Sequence, residues 1–280
     1  MTINCKGQLI DLSRPRAMGI LNLTPDSFYD VGKFTTNKAI LSQVEKMLSD
    51  GATFIDAGAY SSRPNASHVS EREELKRIVS TVEGILREFP ESLVSIDTFR
   101  SKVAAECLEA GAAIINDISA GSLDDKMFDT VAKYQVPMIL MHMRGNPQNM
   151  LNNTQYDNLV KEVIHYFSQK IALARSKKIN DVIIDPGFGF SKTLQQNYRL
   201  LSQIELLHHL KAPILIGVSR KSMVYKLLET QPREALNGST SVHTTALLKG
   251  AQILRVHDVK EAVECIKIIK EIKAQNSMLP

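Results

Sequence analysis

Short apolar runs recur eight times along the chain, at residues 17–21, 53–57, 93–96, 112–115, 136–141, 182–184, 213–217 and 252–256. They are rich in Ile and Val with little alternation, the pattern of strands buried on both faces of a parallel sheet. Longer stretches with helical spacing separate them. Ile40, Val44, Met47 and Leu48 follow the first run, and Leu75, Ile78, Val79, Val82, Ile85 and Leu86 follow the second. Others span 160–174, 200–210 and 259–272. Strands alternating with helices in this way predict an α/β fold, a (β/α)8 TIM barrel, with a doubly wound open sheet as the alternative left open. A length of 280 residues suits one such barrel. No linker or low-complexity segment interrupts it, so residues 1–280 read as a single domain. Residues 3–16, ahead of the first run, read as a short N-terminal hairpin or strand capping the far end of the barrel.

A weak internal repeat supports the barrel. Gly51-Ala-Thr-Phe-Ile-Asp56, Gly111-Ala-Ala-Ile-Ile-Asn116 and Gly250-Ala-Gln-Ile-Leu-Arg255 share one frame. In each, the glycine closes a helix as its C′ residue, and the polar sixth residue falls near the carboxyl end of a strand. That end is where barrel enzymes place their chemistry.

The residues that end the eight runs are Asn22, Asp56, Asp97, Asn116, His142, Asp185, Ser219 with Lys221, and Arg255 with His257. Asn and Asp also favour turns, but polar groups of both charge signs at every strand end point to a ligand site. Asp97, Asn116 and Asp185 can exchange hydrogen bonds with the amino and ring N–H groups of a heterocycle. Asp185 opens the stretch Asp185-Pro-Gly-Phe-Gly-Phe190, whose glycines let backbone approach a ligand. Phe188 and Phe190 offer flat apolar faces there; the alternative is a tight turn with two core phenylalanines. Arg255, His257 and Asn22 come together where the first and eighth strands meet, as a site for phosphate or diphosphate. The neutral oxygen of Asn22 suits Mg2+, which leans on its ligand's phosphates. Lys221 opens an expected helix over 221–229, so its charge and the helix N-terminus both favour an anion. Two stretches without periodicity, 24–36 and 59–70, read as lids over the barrel mouth. The second carries Arg63, a partner for Asp30 or an anionic substrate.

Composition narrows the function further. The net charge of +4 is mild, and basic residues are interspersed with acidic ones, unlike a nucleic-acid-binding surface. Cys5, Cys107 and Cys265 have no metal-site or CxxC spacing and read as incidental thiols of a reducing compartment. No apolar run approaches the ~18 residues of a membrane span. The opening Met1-Thr-Ile-Asn-Cys-Lys6 lacks the apolar segment of a signal peptide. A cytoplasmic protein acting on small molecules is expected.

These stretches resemble the dihydropteroate synthase family over nearly the whole chain. The resemblance rests on Met18-Gly-Ile-Leu-Asn-Leu-Thr-Pro-Asp-Ser-Phe28, Ser61-Ser-Arg-Pro64, Ser95-Ile-Asp-Thr98, Ile115-Asn-Asp-Ile118, Leu140-Met-His-Met143, Asp185–Phe190, Gly217-Val-Ser-Arg-Lys-Ser222 and Arg255-Val-His-Asp258. It implies a folate-biosynthesis transferase, usually a homodimer. Such enzymes join p-aminobenzoate to the methylene carbon of (7,8-dihydropterin-6-yl)methyl diphosphate and release pyrophosphate with Mg2+. It implies a pterin site at Asp97, Asn116, Met141, Asp185 and Lys221, and a diphosphate and metal site at Asn22, Ser62, Arg255 and His257. The implied p-aminobenzoate pocket, where sulfonamides compete, comprises Phe28, Ser62, Arg63, Pro64, Phe190, Ser219, Lys221 and Ser222. Asp97, Lys221 and Asp185 would carry the chemistry, an S_N1-like displacement in which Asp97 stabilises a cationic pterin methylene.

The chain departs from the family's common wording at Ser62 (often Thr), at Val31 and Asn65 (often Gly) and at Ser191 (often Gly). Two other readings compete: a pterin-binding methyltransferase acting with a corrinoid partner, and a pterin-binding homologue without activity. The first would not need the Arg255/His257 phosphate site. Apolar faces near the C-terminus, such as Val263, Ile266 and Ile269, fit a dimer contact or internal core equally.

Overall fold

The computed structural model describes residues 1–23, 37–60 and 69–276. Two short strands, β1 (Thr2–Cys5) and β2 (Gln8–Asp11), pair antiparallel as a hairpin. Eight parallel strands follow: β3 (Arg16–Asn22), β4 (Phe54–Gly58), β5 (Leu93–Asp97), β6 (Ile114–Asp117), β7 (Met138–Met141), β8 (Val182–Asp185), β9 (Leu215–Ile216) and β10 (Ile253–Val256). From β4 on, each is laddered to its predecessor except β9, and β10 pairs with both β9 and β3. A parallel bridge between Ile184 and Ile214, with the Ile184 amide donating to Pro213 O at 2.9 Å, joins β8 to β9. The sheet therefore curls into a nearly closed barrel, and the open-sheet alternative is excluded.

Strand periodicity of two explains the layers. Outward residues such as Ala17, Ile55, Val94, Ile115, Leu140, Ile184 and Leu254 share one apolar core with the helices. Inward residues Met18, Phe54, Leu93, Ile114, Ile139, Ile183, Leu215 and Ile253 form a second core. Ile3, Cys5, Ile10 and Leu12 of the hairpin segment plug that inner core from the strands' amino ends. The N-terminal hairpin is thus the cap expected for the end opposite the site.

The helices are α1 (Asn37–Ser49), α2 (Glu71–Glu88), α3 (Ser101–Glu109), α4 (Met127–Tyr134), α5 (Leu159–Ser176), α6 (Leu194–Ser202), α7 (Ser222–Tyr225), α8 (Leu236–Leu248) and α9 (Val259–Asn276). The helix expected over 200–210 begins earlier, where Thr193 and Gln196 form a capping box, and its second half is a 3-10 helix, Ile204–Leu210. The helix expected over 221–229 is a single turn, α7, and its tail ends with Glu229 at φ +51°. Apolar spacing alone did not pick out α8, whose Ser- and Thr-rich sequence carries little contrast between faces. Gly51, Gly111 and Gly250 take φ of +98°, +106° and +92°, the left-handed conformation their shared frame calls for. On α9, Ile269 is buried, and Val263 and Ile266 pack against the main core, so this stripe is internal.

Candidate active site

Two residues beyond the inner apolar layer, the same alternation brings a second ring inward: Asp56 after Phe54, Asn116 after Ile114, Met141 after Ile139, Asp185 after Ile183 and Arg255 after Ile253. Asp97 ends β5 in register with Asn116, and Met141 with Asp185. Residues near the carboxyl ends of six strands thus form a largely polar layer on a hydrophobic floor.

Charge pairing organises this layer. Arg255 donates from Nε to Asp56 Oδ2 (2.5 Å) and from Nη2 to Asp97 Oδ2 (2.7 Å). Asn116 Nδ2 donates to the same oxygen of Asp56 at 3.0 Å. The polar residues of the three repeated frames therefore form one hydrogen-bonded cluster. Arg255 stands among the pterin-side carboxylates. His257 meets Ser219, whose Oγ lies 3.2 Å from its backbone nitrogen and 3.1 Å from Nδ1. Ser219 is thus buried beside His257.

Burial pushes the Asp97 carboxyl up to about 7; Arg255 opposes this, while Asp56, Glu74 and Asp117 add to it. It also raises the Asp185 carboxyl against the pull of Lys221, Arg255 and Lys192. The Lys221 ammonium is lowered by burial to about 8, with Asp185 and Asp97 opposing and Arg255 reinforcing the shift. The layer places the charge changes of Asp97 and Lys221 near neutral pH.

The turn after β8 is built tightly. Gly187 and Gly189 have φ of +71° and +82°. A Cβ on Gly187 would stand 2.0 Å from His142 O, so only glycine fits. Asp185 Oδ1 accepts from the Gly187 amide at 2.8 Å. Phe188 is fully buried in the main core and offers no face to a ligand, a correction to the sequence expectation. Phe190 is half-buried; with Phe99 it packs on Ile118, Met141, Met143 and Met150. Lys221 Nζ donates to Phe188 O (2.7 Å) and sits 4.7 Å from the Phe190 ring centroid. The one-turn α7 is too short for a helix-terminus effect, so the charge of Lys221 serves the turn and Asp185. Ser222 is half-buried at the first residue of α7.

Sequence reasoning missed what lies beneath this turn. Lys192 is buried, and its Nζ donates to Gly187 O (2.9 Å) and Phe190 O (3.1 Å) and lies 3.0 Å from His142 Nδ1. Burial lowers its ammonium to about 7. His142, though at a strand end, follows inward Met141 and so faces outward, where its ring packs on Tyr166 at 4.9 Å. Burial and the nearby Lys192 hold the imidazole well below its usual range. Ser191 takes φ +45°, so the backbone keeps a left-handed conformation where the family commonly has glycine.

Arg220 was also missed. Its φ is +53°, and it clamps Asp258 through Nε (2.7 Å) and Nη2 (2.8 Å) while Nη1 donates to Pro232 O and Arg233 O. The clamp ties the Ser219–Lys221 turn to the residue after His257. The motifs contain both Arg220 and Asp258, but nothing in their spacing reveals the pairing.

Phe28, Ser62, Arg63 and Pro64, with Asp30, Val31 and Asn65, lie outside the described residues, as do loop 24–36 and most of 59–70. Asn22 is half-buried at the end of β3. Among the described residues no group of three or more His, Cys, Asp or Glu could cage a metal. A lone carboxamide oxygen fits a Mg2+ coordinated mainly by a diphosphate and water, not a protein-caged ion.

A family model described as pterin binding enzyme matches residues 18–257. Dihydropteroate synthase of Escherichia coli K12 is 42% identical over 272 residues, 96% of each chain. The chain belongs to the dihydropteroate synthase family. A solved structure of the Yersinia pestis synthase with a sulfonamide drug superposes with a TM-score of 0.94 at 43% identity, covering 98% of this chain and 100% of that one. The Xanthomonas albilineans synthase in complex with 7,8-dihydropteroate gives 0.87 at 33% identity, with full coverage of both chains. Family likeness therefore spans the floor, the polar layer and the turns above it.

Proposed function

We propose that the chain is a transferase of folate biosynthesis that joins p-aminobenzoate to (7,8-dihydropterin-6-yl)methyl diphosphate. The products are 7,8-dihydropteroate and pyrophosphate. The carrying observation is the polar layer: Asp97, Asn116 and Asp185 converge with Lys221 around the barrel axis, with Met141 beside them as a flat apolar contact for a ring. Carboxylates and a carboxamide suit a pterin's amino and ring N–H groups. A relative solved with the dihydropteroate product supports the same reading.

In this reading Asn22, Ser62, Arg255 and His257 hold the diphosphate. Phe28, Ser62, Arg63, Pro64, Phe190, Ser219, Lys221 and Ser222 form the p-aminobenzoate pocket, where a sulfonamide would compete. Mg2+ bound through Asn22 and the phosphates would supply charge neutralisation for the leaving group. The bond between the pterin methylene carbon and the bridging oxygen breaks, and its electron pair leaves with the diphosphate. Anionic Asp97 faces the resulting cation. The amine lone pair of p-aminobenzoate then forms the C–N bond and its surplus proton passes to solvent. No covalent enzyme intermediate is required, and Cys5, Cys107 and Cys265 are all buried away from the layer.

We further infer one pterin-binding barrel domain over residues 1–280, acting as a homodimer in the cytoplasm. Leu227, Leu228, Leu248, Ile268 and Ile272, all at least 45% exposed on or after α7, α8 and α9, support the dimer. Three unpaired cysteines support the reducing compartment, and no helix among the described residues is long and apolar enough to cross a membrane.

The test is incubation with pterin diphosphate, Mg2+ and p-aminobenzoate, reading pyrophosphate and dihydropteroate. Equimolar formation of both is expected. No release above background would favour a binding-only protein, and methyl transfer from methyltetrahydrofolate to a corrinoid would favour the methyltransferase reading.

A further inference from the structure

The polar layer contains a carboxylate that the reaction above leaves without a part. Asp56 is fully buried. Its Oδ2 is the shared acceptor for Arg255 Nε at 2.5 Å and Asn116 Nδ2 at 3.0 Å. Its Oδ1 has no partner among the described residues, and neither has the buried hydroxyl of Ser95, its register neighbour on β5. A buried, half-satisfied carboxylate disfavours the fold, so a purely structural role explains it poorly.

Its two contacts each fix a neighbour's orientation. A guanidinium is planar and rigid, so anchoring Nε fixes where both Nη groups point. Arg255 accordingly reaches Asp97 through Nη2 at 2.7 Å. A carboxylate only accepts hydrogen bonds, so the Asn116 group facing Asp56 is its NH2, and the carboxamide oxygen is left for a ring N–H. We propose that Asp56 is a positioning residue for the transfer reaction, holding Arg255 by Nε toward Asp97 and the diphosphate, and turning the Asn116 oxygen toward the pterin. Asp56 also sets the charge balance at Asp97. The groups facing Asp97 are Arg255, Asp56, Glu74, Asp117 and Lys221, and of the three carboxylates Asp56 is the one tied to the same guanidinium. Replacing it with a neutral group removes a repelling charge and leaves Arg255 to Asp97, which eases ionisation of Asp97.

The proposal rests on the assignment of Asp97 and Arg255 to the site. Asp56→Asn, Arg255→Lys, the double variant and Asp97→Asn separate the two ideas in steady-state kinetics across pH. Asp56→Asn is expected to lower kcat/KM for pterin diphosphate at least tenfold and to leave KM for p-aminobenzoate within twofold. It is also expected to move the acid limb of the profile to lower pH, which a merely structural role would not do. Arg255→Lys cannot bridge two carboxylates, so the double variant is expected to lose little beyond the worse single one. Asp56→Asn kinetics within twofold of wild type, or losses that multiply in the double variant, would overturn the proposal. Should Asp56→Asn not fold, Asp56→Glu keeps the charge but shifts its reach, and is expected to lose kcat/KM with the acid limb in place; unchanged kinetics would overturn the proposal. Wild-type rates in both Arg255→Lys and Asp97→Asn would instead overturn the site assignment beneath it.

Discussion

At the residue scale, opposite effects of burial on two groups set a narrow working window. In the mechanism we propose, productive chemistry needs Asp97 ionised and Lys221 protonated. Burial raises the first to about 7 and lowers the second to about 8. Activity is thus lost as pH falls through the Asp97 value and again as it rises through the Lys221 value. The pH profile of kcat/KM for pterin diphosphate is expected to be a bell centred between the two, since that ratio reports the free enzyme. Asp97→Asn is expected to remove the acid limb and lower kcat roughly 100-fold or more, the scale of a lost transition-state electrostatic contact. Lys192 predicts a different signature. Lys192→Met leaves the carbonyls of Gly187 and Phe190 without their ammonium, at a cost of about 2–3 kcal/mol in denaturant unfolding. KM for p-aminobenzoate should rise more than KM for pterin diphosphate, because Phe190 sits on the loosened turn. The charges at the strand ends were legible in sequence because their positions follow from strand ends alone. Their partners were not. That Arg255 spans Asp56 and Asp97, 199 and 158 residues away, follows only from barrel closure. Lys192 carries no sequence mark, because nothing in its neighbourhood reveals the carbonyls it meets.

At the element scale, the turns after β8 and β9 decide the shape of the site. Gly187 stands against His142 O at the end of β7, so the two strand ends fit together at backbone distance. Gly187→Ala would place its Cβ 2.0 Å from that oxygen and strain a φ of +71°. A loss of at least about 3 kcal/mol in unfolding free energy, with pterin affinity falling in parallel, is expected from calorimetric melting and fluorescence titration. The three glycine-led frames were readable because the αL cap, the strand and its inward polar end each have a sequence signature. The length of α7 and the 3-10 segment Ile204–Leu210 were not, since both follow from how tightly the chain must return to a two-residue β9. The fate of Phe188 was equally hidden: two phenylalanines flank Gly189, and only the direction of the turn decides which is buried.

At the scale of the whole molecule, a hydrophobic floor separates stability from function. The hairpin plugs the strands' amino ends, and the polar layer occupies their carboxyl ends. Leu12 is 1% exposed in that plug. Leu12→Ala should therefore cost about 2–4 kcal/mol in unfolding free energy and leave kcat within twofold. The eightfold alternation made the barrel legible before any side chain was placed, because parallel strands and crossover helices have few compact solutions. Closure itself, through the bridge between Ile184 and Ile214, carries no sequence mark. We propose that the polar layer is the pterin diphosphate site. A crystal structure of the protein with that substrate and Mg2+ tests it most directly. Density for the pterin ring among Asp97, Asn116, Asp185 and Lys221, with the diphosphate reaching Asn22, Arg255 and His257, is the predicted result. A ring bound outside this layer, or a diphosphate away from Arg255 and His257, would contradict it.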